Sequence, residues 1–256
     1  MTDRFASLKD RVVIVTGAGR GIGRAYAHGF ARNGAVAVIA EVNADNGKKV
    51  EAEIAAAGGR ALAIPTDITD AQSVQAMVER TAGAFGRIDG LVNNAAFFAD
   101  IDMKPFYEMA DADWDKAMRT NITGAYLCSK AVVPHMRARQ WGRIVHISST
   151  VVETGRANYL HYVTSKAALV GMTRGMAREL GEFGITVNAV MPGLTRTELP
   201  RKTTNEESYR ITKAGQAIKR TETPEDLVGV VLFLVSDGAG FVSGQTLPVD
   251  GGGVFR

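Results

Sequence analysis

The sequence predicts an α/β fold, in which seven parallel strands form one doubly wound sheet with helices on both faces. Two observations lead to this prediction. Short, almost continuously apolar runs alternate with longer stretches of helical periodicity, and strands of that composition are typical of parallel sheets covered on both faces. No low-complexity linker and no internal repeat divides the 256 residues. We therefore expect a single domain over residues 1–256, with right-handed crossovers between its strands.

The predicted strands and helices alternate along the whole chain. The apolar run VVIVT at 12–16 is the first strand, and a glycine-rich turn and a helix to about Asn33 follow it. Gly58 ends the second helix, Asp70 is a plausible N-cap for the third, and Pro224 begins the last. Further strands are expected at 36–40, 61–67, within 88–95, and at 143–148, 185–190 and 245–250. Further helices are expected at 44–57, 70–85, 111–138, 159–181 and 224–235.

Composition argues against several classes of protein. Thirty basic residues stand against 27 acidic ones, and the basic stretches are not interleaved with several aromatic residues, so nucleic-acid binding is not expected. Cys128 is the single cysteine, which excludes an intrachain disulfide and fits a reducing compartment. The histidines lack the spacing of a metal site, and no apolar run is long enough to cross a membrane. We expect a cytoplasmic protein without a metal or a membrane partner.

A glycine-rich turn from Thr16 to Gly23 lies between the first strand and the first helix, where a phosphate-binding turn belongs. Glycine allows close approach of a pyrophosphate, and the helix N-terminus supplies free N–H groups. The spacing is G-x-x-x-G-x-G rather than G-x-G-x-x-G, so a tight turn without a ligand is the alternative interpretation. Glu41 ends the next strand, where an acidic residue can accept hydrogen bonds from a ribose; a surface glutamate is the alternative there.

The second motif carries acid–base chemistry. Tyr162 and Lys166 are four residues apart on one predicted helix, so both side chains can face one site, and a nearby cation favours the phenolate. Ser149 follows the fifth strand, where it could hold the substrate oxygen beside the phenol. Asn121 lies inside a predicted helix, where asparagine is a poor helix former, and a buried amide facing the site would explain it. Taken alone, Ser149 could be an N-cap and Asn121 an exposed residue.

These pieces in this order resemble the short-chain dehydrogenase/reductase family, and the resemblance covers essentially the whole chain. The family's T-G-x-x-x-G-x-G turn, its N-N-A-G, its Y-x-x-x-K and its P-G segment all have counterparts, with Ala96 in place of the last glycine of N-N-A-G. The methyl group that Ala96 adds is expected to narrow the space beside the cofactor and to leave activity intact. The resemblance implies a Rossmann fold and four catalytic residues, Asn121, Ser149, Tyr162 and Lys166. It implies cofactor contacts from Gly17, Arg20, Gly21, Ile22, Gly23, Glu41, Asp67, Ile68, Asn94, Ala95, Ala96, Tyr162, Lys166, Pro192, Gly193, Thr195 and Thr197.

The expected activity is reversible hydride transfer between NAD and a secondary alcohol or ketone, such as an aryl alcohol, a sugar or a small polyol. The alternatives are a 3-oxoacyl-carrier-protein reductase and a cofactor-sensing binding protein without turnover. Glu41 favours NAD over NADP because its carboxylate would repel a 2′-phosphate, whereas Arg20 could bind that phosphate. Val42 is apolar where NADP enzymes often carry a second base. The resemblance also implies a homotetramer.

The segment at about 194–222 is expected to form a lid over the substrate. Bases outnumber acids there, so one or two bases, with the C-terminal Arg256, could meet a polar or anionic part of the substrate. A solvated loop is the alternative. The basic residues of the lid are Arg196, Arg201, Lys202, Arg210, Lys213, Lys219 and Arg220. Phe98 could line an apolar pocket, and the residues expected to contact the substrate are Phe97, Ser149, Val151, Glu153, Asn158, Tyr159 and Arg196.

Overall fold

The computed structural model describes residues 6–255, so Arg256 lies outside the described residues. One sheet of seven parallel strands has the order β3-β2-β1-β4-β5-β6-β7. Its strands are β1 (Val12–Thr16), β2 (Val36–Glu41), β3 (Arg60–Pro65), β4 (Gly90–Asn93), β5 (Gly142–Ile147), β6 (Ile185–Pro192) and β7 (Thr246–Val249).

The helices between the strands are α1 (Gly21–Arg32), α2 (Ala44–Ala56), α3 (Ala71–Phe85), α4 (Asp111–Met118), α5 (Gly124–Ala138), α6 (Val151–Thr154), α7 (Leu160–Leu180), α8 (Glu206–Gly215) and α9 (Pro224–Val235). A π-helical turn, Arg119–Thr123, joins α4 to α5. Short 3₁₀ turns lie at Ala6–Leu8, Phe106–Glu108, Gly181–Phe183 and Asp237–Ala239.

Two apolar layers bury the two faces of the sheet. In β1, Val13 and Val15 belong to the layer that α1, α2 and α9 cover, whereas Val12 and Ile14 belong to the layer under α3, α5 and α7. This alternation follows from the two-residue period of a strand. All five residues of β1 are buried, which accounts for its continuously apolar sequence. The predicted doubly wound α/β fold is confirmed.

Most of the predicted elements are present, and their ends shift by a few residues. The N-cap prediction is confirmed, because the Asp70 side chain accepts a hydrogen bond from the backbone N–H of Gln72 at 2.9 Å. The helix expected at 111–138 is wrong in one respect, since the π-helical turn interrupts its α-helical hydrogen bonding. Helix α8 was not predicted; it is short, rich in polar residues and buries none of its residues. An Asn205–Ser208 capping box begins it instead.

The strand order reverses beside β1. The chain builds β1, β2 and β3 toward one edge and then returns to place β4 on the other side of β1. A crevice therefore opens at the carboxyl ends of β1 and β4, which is where doubly wound sheets bind their ligands. No helix among residues 6–255 is long and apolar enough to cross a membrane. Within the same range, no group of three or more His, Cys, Asp and Glu side chains could hold a metal ion.

Candidate active site

The glycine-rich turn after β1 is packed so closely that its glycines cannot be replaced without movement. Gly17 and Gly21 have φ values of +63° and +58°, in the left-handed region that favours glycine. A Cβ atom on Gly23 would lie 2.3 Å from the carbonyl oxygen of Gly17. The side-chain amide of Asn94, just after β4, donates to the carbonyls of Thr16 at 2.9 Å and Gly17 at 3.2 Å. Asn94 therefore holds the glycine-rich turn against the carboxyl end of β4.

Glu41 lies at the carboxyl end of β2 with its carboxylate beside this turn. Oε2 accepts the backbone N–H of Gly19 at 3.0 Å, and Oε1 accepts the N–H of Asn43 at 3.2 Å. A carboxylate can accept about four hydrogen bonds, so both oxygens keep capacity for a further donor. Glu41 is largely buried, whereas Arg20, on the other side of the turn, is exposed. Backbone hydrogen bonds thus fix the Glu41 carboxylate, whereas the Arg20 side chain extends into solvent.

A carboxylate of the 194–222 segment lies at the N-terminus of α1. The backbone N–H of Gly21 donates to Oε1 of Glu198 at 2.8 Å. Burial acts to raise the pKa of Glu198, but the Gly21 amide and the nearby Arg24 and Arg20 outweigh it, so this pKa lies below its usual value. The first turn of α1 therefore holds an anionic group in the way expected of a helix N-terminus.

Ser149, Tyr162 and Lys166 meet at the end of β5. Helix α7 carries Tyr162 and Lys166 on one face, and the Lys166 ammonium lies 5.6 Å from the centroid of the Tyr162 ring. Lys166 Nζ donates to the carbonyl oxygen of Ile147 at 2.7 Å, which anchors the helix to the strand. The Ser149 hydroxyl is hydrogen-bonded to the Tyr162 side chain. The spacing of these residues in the sequence thus brings all three side chains together.

Burial dominates the ionisation of this group. It raises the pKa of Tyr162, and Tyr159 adds to the rise because the two rings lie 4.8 Å apart; Arg201, the hydrogen bond from Ser149 and Arg156 act in the opposite direction. Burial lowers the pKa of Lys166 to about 7. The tyrosine is therefore held as a neutral phenol at neutral pH. This reverses the expectation from the sequence that its pKa lies below the usual value.

The π-helical turn places Asn121 behind the cavity. Its Oδ1 accepts the backbone N–H of Phe97 at 2.7 Å, and its Nδ2 donates to Ser165 Oγ at 2.9 Å and to the carbonyl of Phe97 at 3.2 Å. Ser165 in turn donates to the carbonyl of Tyr162 at 2.8 Å. Wide π turns are frequent at functional sites, and this one connects the segment after β4 with the helix that carries Tyr162.

The end of β6 forms the opposite wall, and Glu222 fixes it. Its carboxylate accepts the N–H of Gly193 at 3.1 Å and the hydroxyl of Thr195 at 2.5 Å, while its backbone carbonyl accepts the N–H of Arg196 at 2.8 Å. Burial raises the pKa of Glu222 to about 7, although the bonds from Thr195 and Gly193 lower it. Thr195 and Glu222 lie at the two ends of the 194–222 segment, and they pair as an isolated β-bridge.

A cavity of about 620 Å³ joins these parts. It brings together most of the residues expected from the sequence: Gly17, Arg20, Ile22, Gly23, Glu41, Asp67, Ile68, Asn94, Ala95, Ala96, Phe97, Phe98, Ser149, Tyr162, Lys166, Pro192, Gly193, Thr195 and Thr197. Gly21 lies at the edge of a second, smaller cavity on the far side of the α1 N-terminus. The carboxylate of Asp67 accepts both the N–H and the hydroxyl of Thr69 at 2.8 Å, so it also braces its own turn.

Several residues expected at the substrate do not line this cavity. Arg196 is exposed, makes two hydrogen bonds to Glu206 at 2.9 and 2.7 Å and lies over the ring of Tyr209. Val151 and Glu153 belong to the short helix α6, and Glu153 is exposed, as is Asn158. Tyr159 is buried against Tyr162 instead of facing the open space. These residues were chosen because they lie next to Tyr162 in the sequence, and the sequence could not show which side chains in this segment face the cavity.

The cavity also contains residues that motif analysis did not assign to it. Arg201 projects into it from the lid, and Lys116 and Leu199 line it as well. Arg201 was visible in the sequence only as one of seven lid bases, and periodicity offers no way to select it. Glu222 could not be distinguished from an exposed acid of the lid, because its carboxyl is buried only once the two ends of the 194–222 segment meet.

The donor and acceptor groups along the cavity fit a dinucleotide. Glu41 offers free acceptor capacity at one end, and the closely packed glycine turn and the α1 N-terminus lie next to it. Tyr162, Lys166 and Gly193 surround the other end. A ribose and a reactive ring have matching partners at the two ends, and a pyrophosphate would lie between them at the α1 N-terminus, where Glu198 accepts the N–H of Gly21 in this structure.

Comparisons with known proteins support this interpretation. A family model described as enoyl-(acyl carrier protein) reductase matches residues 17–253. An uncharacterised oxidoreductase of Mycobacterium tuberculosis strain H37Rv is 42% identical over 96% of this chain and 98% of its own length. A 3-oxoacyl-[acyl-carrier-protein] reductase of Pseudomonas aeruginosa is 38% identical over 96% and 98%. A 7α-hydroxysteroid dehydrogenase solved with NADH and 7-oxo glycochenodeoxycholic acid is 36% identical and covers 100% of this chain and 99% of its own, with a TM-score of 0.93.

Proposed function

Because the chain belongs to the short-chain dehydrogenase/reductase family and is an oxidoreductase acting on CH–OH or carbonyl groups, we propose that it interconverts a secondary alcohol and a ketone with NAD. Aryl alcohols, sugars and small polyols are the substrates with which to begin. The observation that carries the proposal is the meeting of Ser149, Tyr162 and Lys166 in one cavity with Glu41 at its far end.

Tyr162 transfers the proton in this proposal. In reduction, its neutral phenol donates to the oxygen of the ketone, and in oxidation its phenolate takes the proton of the hydroxyl. The Ser149 hydroxyl holds the same oxygen beside the phenol. Nicotinamide, when bound, would supply or accept the hydride. Since burial raises the pKa of Tyr162, the phenol form used in reduction predominates near neutral pH, and oxidation should accelerate as pH rises.

Lys166 and Asn121 have supporting roles in the proposal. Burial lowers the pKa of Lys166 to about 7, and the charged form of the lysine favours the phenolate. Lys166 would also bind the nicotinamide ribose. Asn121, which is hydrogen-bonded to Ser165, would hold a water that carries protons between Lys166 and solvent.

Glu41 supports NAD over NADP. Its fixed carboxylate can still accept hydrogen bonds from ribose hydroxyls. A 2′-phosphate would instead be repelled by the negative charge of the carboxylate, which has no hydrogen to donate to it. Arg20 is the counter-argument, and Val42 beside Glu41 offers no second base. The remaining cofactor contacts are assigned to the glycine-rich turn, to Asp67 and Ile68, to Asn94, Ala95 and Ala96, and to Pro192, Gly193, Thr195 and Thr197.

The 3-oxoacyl-carrier-protein reductase is the second candidate, since the matching family model and the Pseudomonas relative both concern acyl carrier proteins. Glu41 opposes the NADPH that such an enzyme usually prefers. A cofactor-sensing protein without turnover is the third, and the assembled Ser149, Tyr162 and Lys166 group argues against it.

Assembly and location belong to the same proposal. We place a single domain with its lid in a homotetramer in the cytoplasm. The outer faces of α5 and α7 leave Tyr126 and Leu160 exposed by 43% and 42%, which a second copy of the chain would cover. Light scattering at micromolar concentration tests this. A species of only 27.3 kDa would contradict the tetramer.

The central experiment is a spectrophotometric panel of secondary alcohols with NAD, run beside a 3-oxoacyl thioester with NADPH. Tyr162→Phe should lower kcat by about 10²- to 10⁴-fold, because it removes the acid–base group, while NADH affinity measured by fluorescence stays within about threefold. Tyr107→Phe makes the same chemical change on a side chain that is 74% exposed and serves as the control. Retention of more than about a tenth of the turnover in Tyr162→Phe would refute the assignment.

A further inference from the structure

Arg201 differs from the other bases of the lid in where its charge lies. Four of them form ion pairs away from the cavity: Arg196 with Glu206, Lys202 with Asp102, Arg210 with Glu207 and Arg220 with Asp226. Arg201 instead lines the main cavity, and no ion pair of its guanidinium is seen among residues 6–255. Its positive charge is therefore presented to whatever enters.

The guanidinium of Arg201 is held in place, but one of its N–H donors lacks an acceptor. Nη2 donates to the carbonyl oxygen of Thr195 at 3.0 Å, and the guanidinium carbon lies 5.0 Å from the centroid of the Phe98 ring. Its Nε is buried and has no hydrogen-bond partner in the described part of the chain. A buried donor without an acceptor is unfavourable, so this atom calls for an acceptor from outside the protein.

Arg201 lies at the reacting end of the cavity. Its charge acts on both Tyr162 and Tyr159, and a second cation, Arg156, acts on the same two side chains, with its guanidinium 5.1 Å from the Tyr159 centroid. Glu41 marks the opposite, acidic end. The cavity thus has the positive charge of Arg201 where the substrate would react and the carboxylate of Glu41 where the ribose would bind, although Arg20 and Asp100 also line it.

We propose that Arg201 binds a carboxylate of the substrate, so that the preferred substrates are hydroxy acids and oxo acids rather than neutral alcohols. This inference rests on the proposed alcohol–ketone activity. The planar guanidinium offers donors that match the two oxygens of a carboxylate, and such charge-assisted bonds are about twice as strong as neutral ones. Because Thr195 and Arg201 belong to the lid, the same contact would draw the lid over the substrate.

The probes are hydroxy acids with the hydroxyl on the penultimate carbon, from hydroxybutyrate to hydroxyhexanoate, each paired with its neutral methyl ester. The chain length with the highest kcat/KM reports the distance between Arg201 and Tyr162. The wild type should prefer the best acid over its ester by about 10- to 100-fold in kcat/KM, and Arg201→Gln should lower that ratio by about the same factor. Arg210→Gln removes the same charge from the exposed face of α8 and should change the ratio by less than about threefold.

A binding measurement keeps the inference separate from the activity. With oxidised NAD present, which cannot reduce a ketone, an oxo acid such as levulinate should raise the Tm of the wild type, and Arg201→Gln should lose that rise while methyl levulinate has no effect on either protein. Turnover of acids and esters with equal kcat/KM, or an unchanged ratio in Arg201→Gln, would overturn the inference and leave the proposed function standing. Stabilisation by levulinate that depends on Arg201, without turnover of any alcohol, would support the carboxylate inference and refute the proposed function.

Discussion

Replacing Glu41 by alanine should exchange the cofactor preference of the enzyme. The carboxylate accepts two backbone N–H groups and keeps capacity for ribose hydroxyls, so its loss removes a charge-assisted acceptor from NAD. Such bonds contribute about 1.5–3 kcal/mol, which corresponds to roughly a 10- to 100-fold fall in kcat/KM for NAD. NADP gains in the same variant because the repulsion between Glu41 and a 2′-phosphate disappears. Two unit charges 4 Å apart interact by about 4 kcal/mol near a protein surface, and we take about half of that for a cavity open to water.

The two effects add to about 3.5–5 kcal/mol, a change of roughly 300- to 3,000-fold in the ratio of kcat/KM for NAD over NADP. Steady-state kinetics with both cofactors and one alcohol measure it. Glu41→Gln separates the two contributions, because glutamine removes the charge but keeps one acceptor oxygen. The Tm of each variant shows whether the turn survives, since Gly19 and Asn43 lose their acceptor as well. A wild type that already prefers NADP would refute the reasoning and give Arg20 the decisive part.

Two further predictions concern stability. The pKa of Glu222 is raised by burial from 4.5 to about 7, so the folded state holds its proton more tightly, and the free energy of unfolding should fall by up to about 3 kcal/mol as pH rises from about 4.5 to 7. Glu222→Gln should flatten this fall in urea unfolding at pH 5 and 8; a mutant that differs from the wild type by the same amount at both pH values would contradict it. Gly23→Ala places a Cβ atom 2.3 Å from the Gly17 carbonyl oxygen and should abolish NADH binding measured by fluorescence and lower the Tm. Gly83→Ala, on the exposed face of α3 with open space around it, should instead stabilise the protein by about 0.5–1 kcal/mol, and equal effects of the two substitutions would show that the packing of the turn does not matter.

Local patterns were enough to predict the sheet. Strands buried on both faces must be apolar throughout, so VVIVT and VAVIA marked β1 and β2 directly. The glycine-rich turn and the i, i+4 pair were equally readable, because one is a backbone requirement and the other is helix geometry. The parts of the site next to regular elements could therefore be predicted.

The remainder depended on contacts between distant segments. Asn121 was noticed as a poor helix former, but the π-helical turn around it is set by its bonds to Phe97 and Ser165. The spacing of Tyr162 and Lys166 indicated a cation beside a phenol, yet burial controls both pKa values, and burial is a property of the assembled fold. Arg201 and Arg196 were equivalent in the sequence, and only the path of the lid separates them.

The pairing of Thr195 with Glu222 has a consequence for how such a protein can diversify. The two ends of the lid are already fastened to each other and to the sheet, so the segment between them is a closed loop. Lengthening a closed loop is entropically cheap, and a doubling destabilises the fold by only about 0.6 kcal/mol. Evolution or a protein engineer could therefore exchange the whole segment for one of another length and obtain a new substrate range. The residues at the end of β5, Ser149, Tyr162 and Lys166, would stay in place.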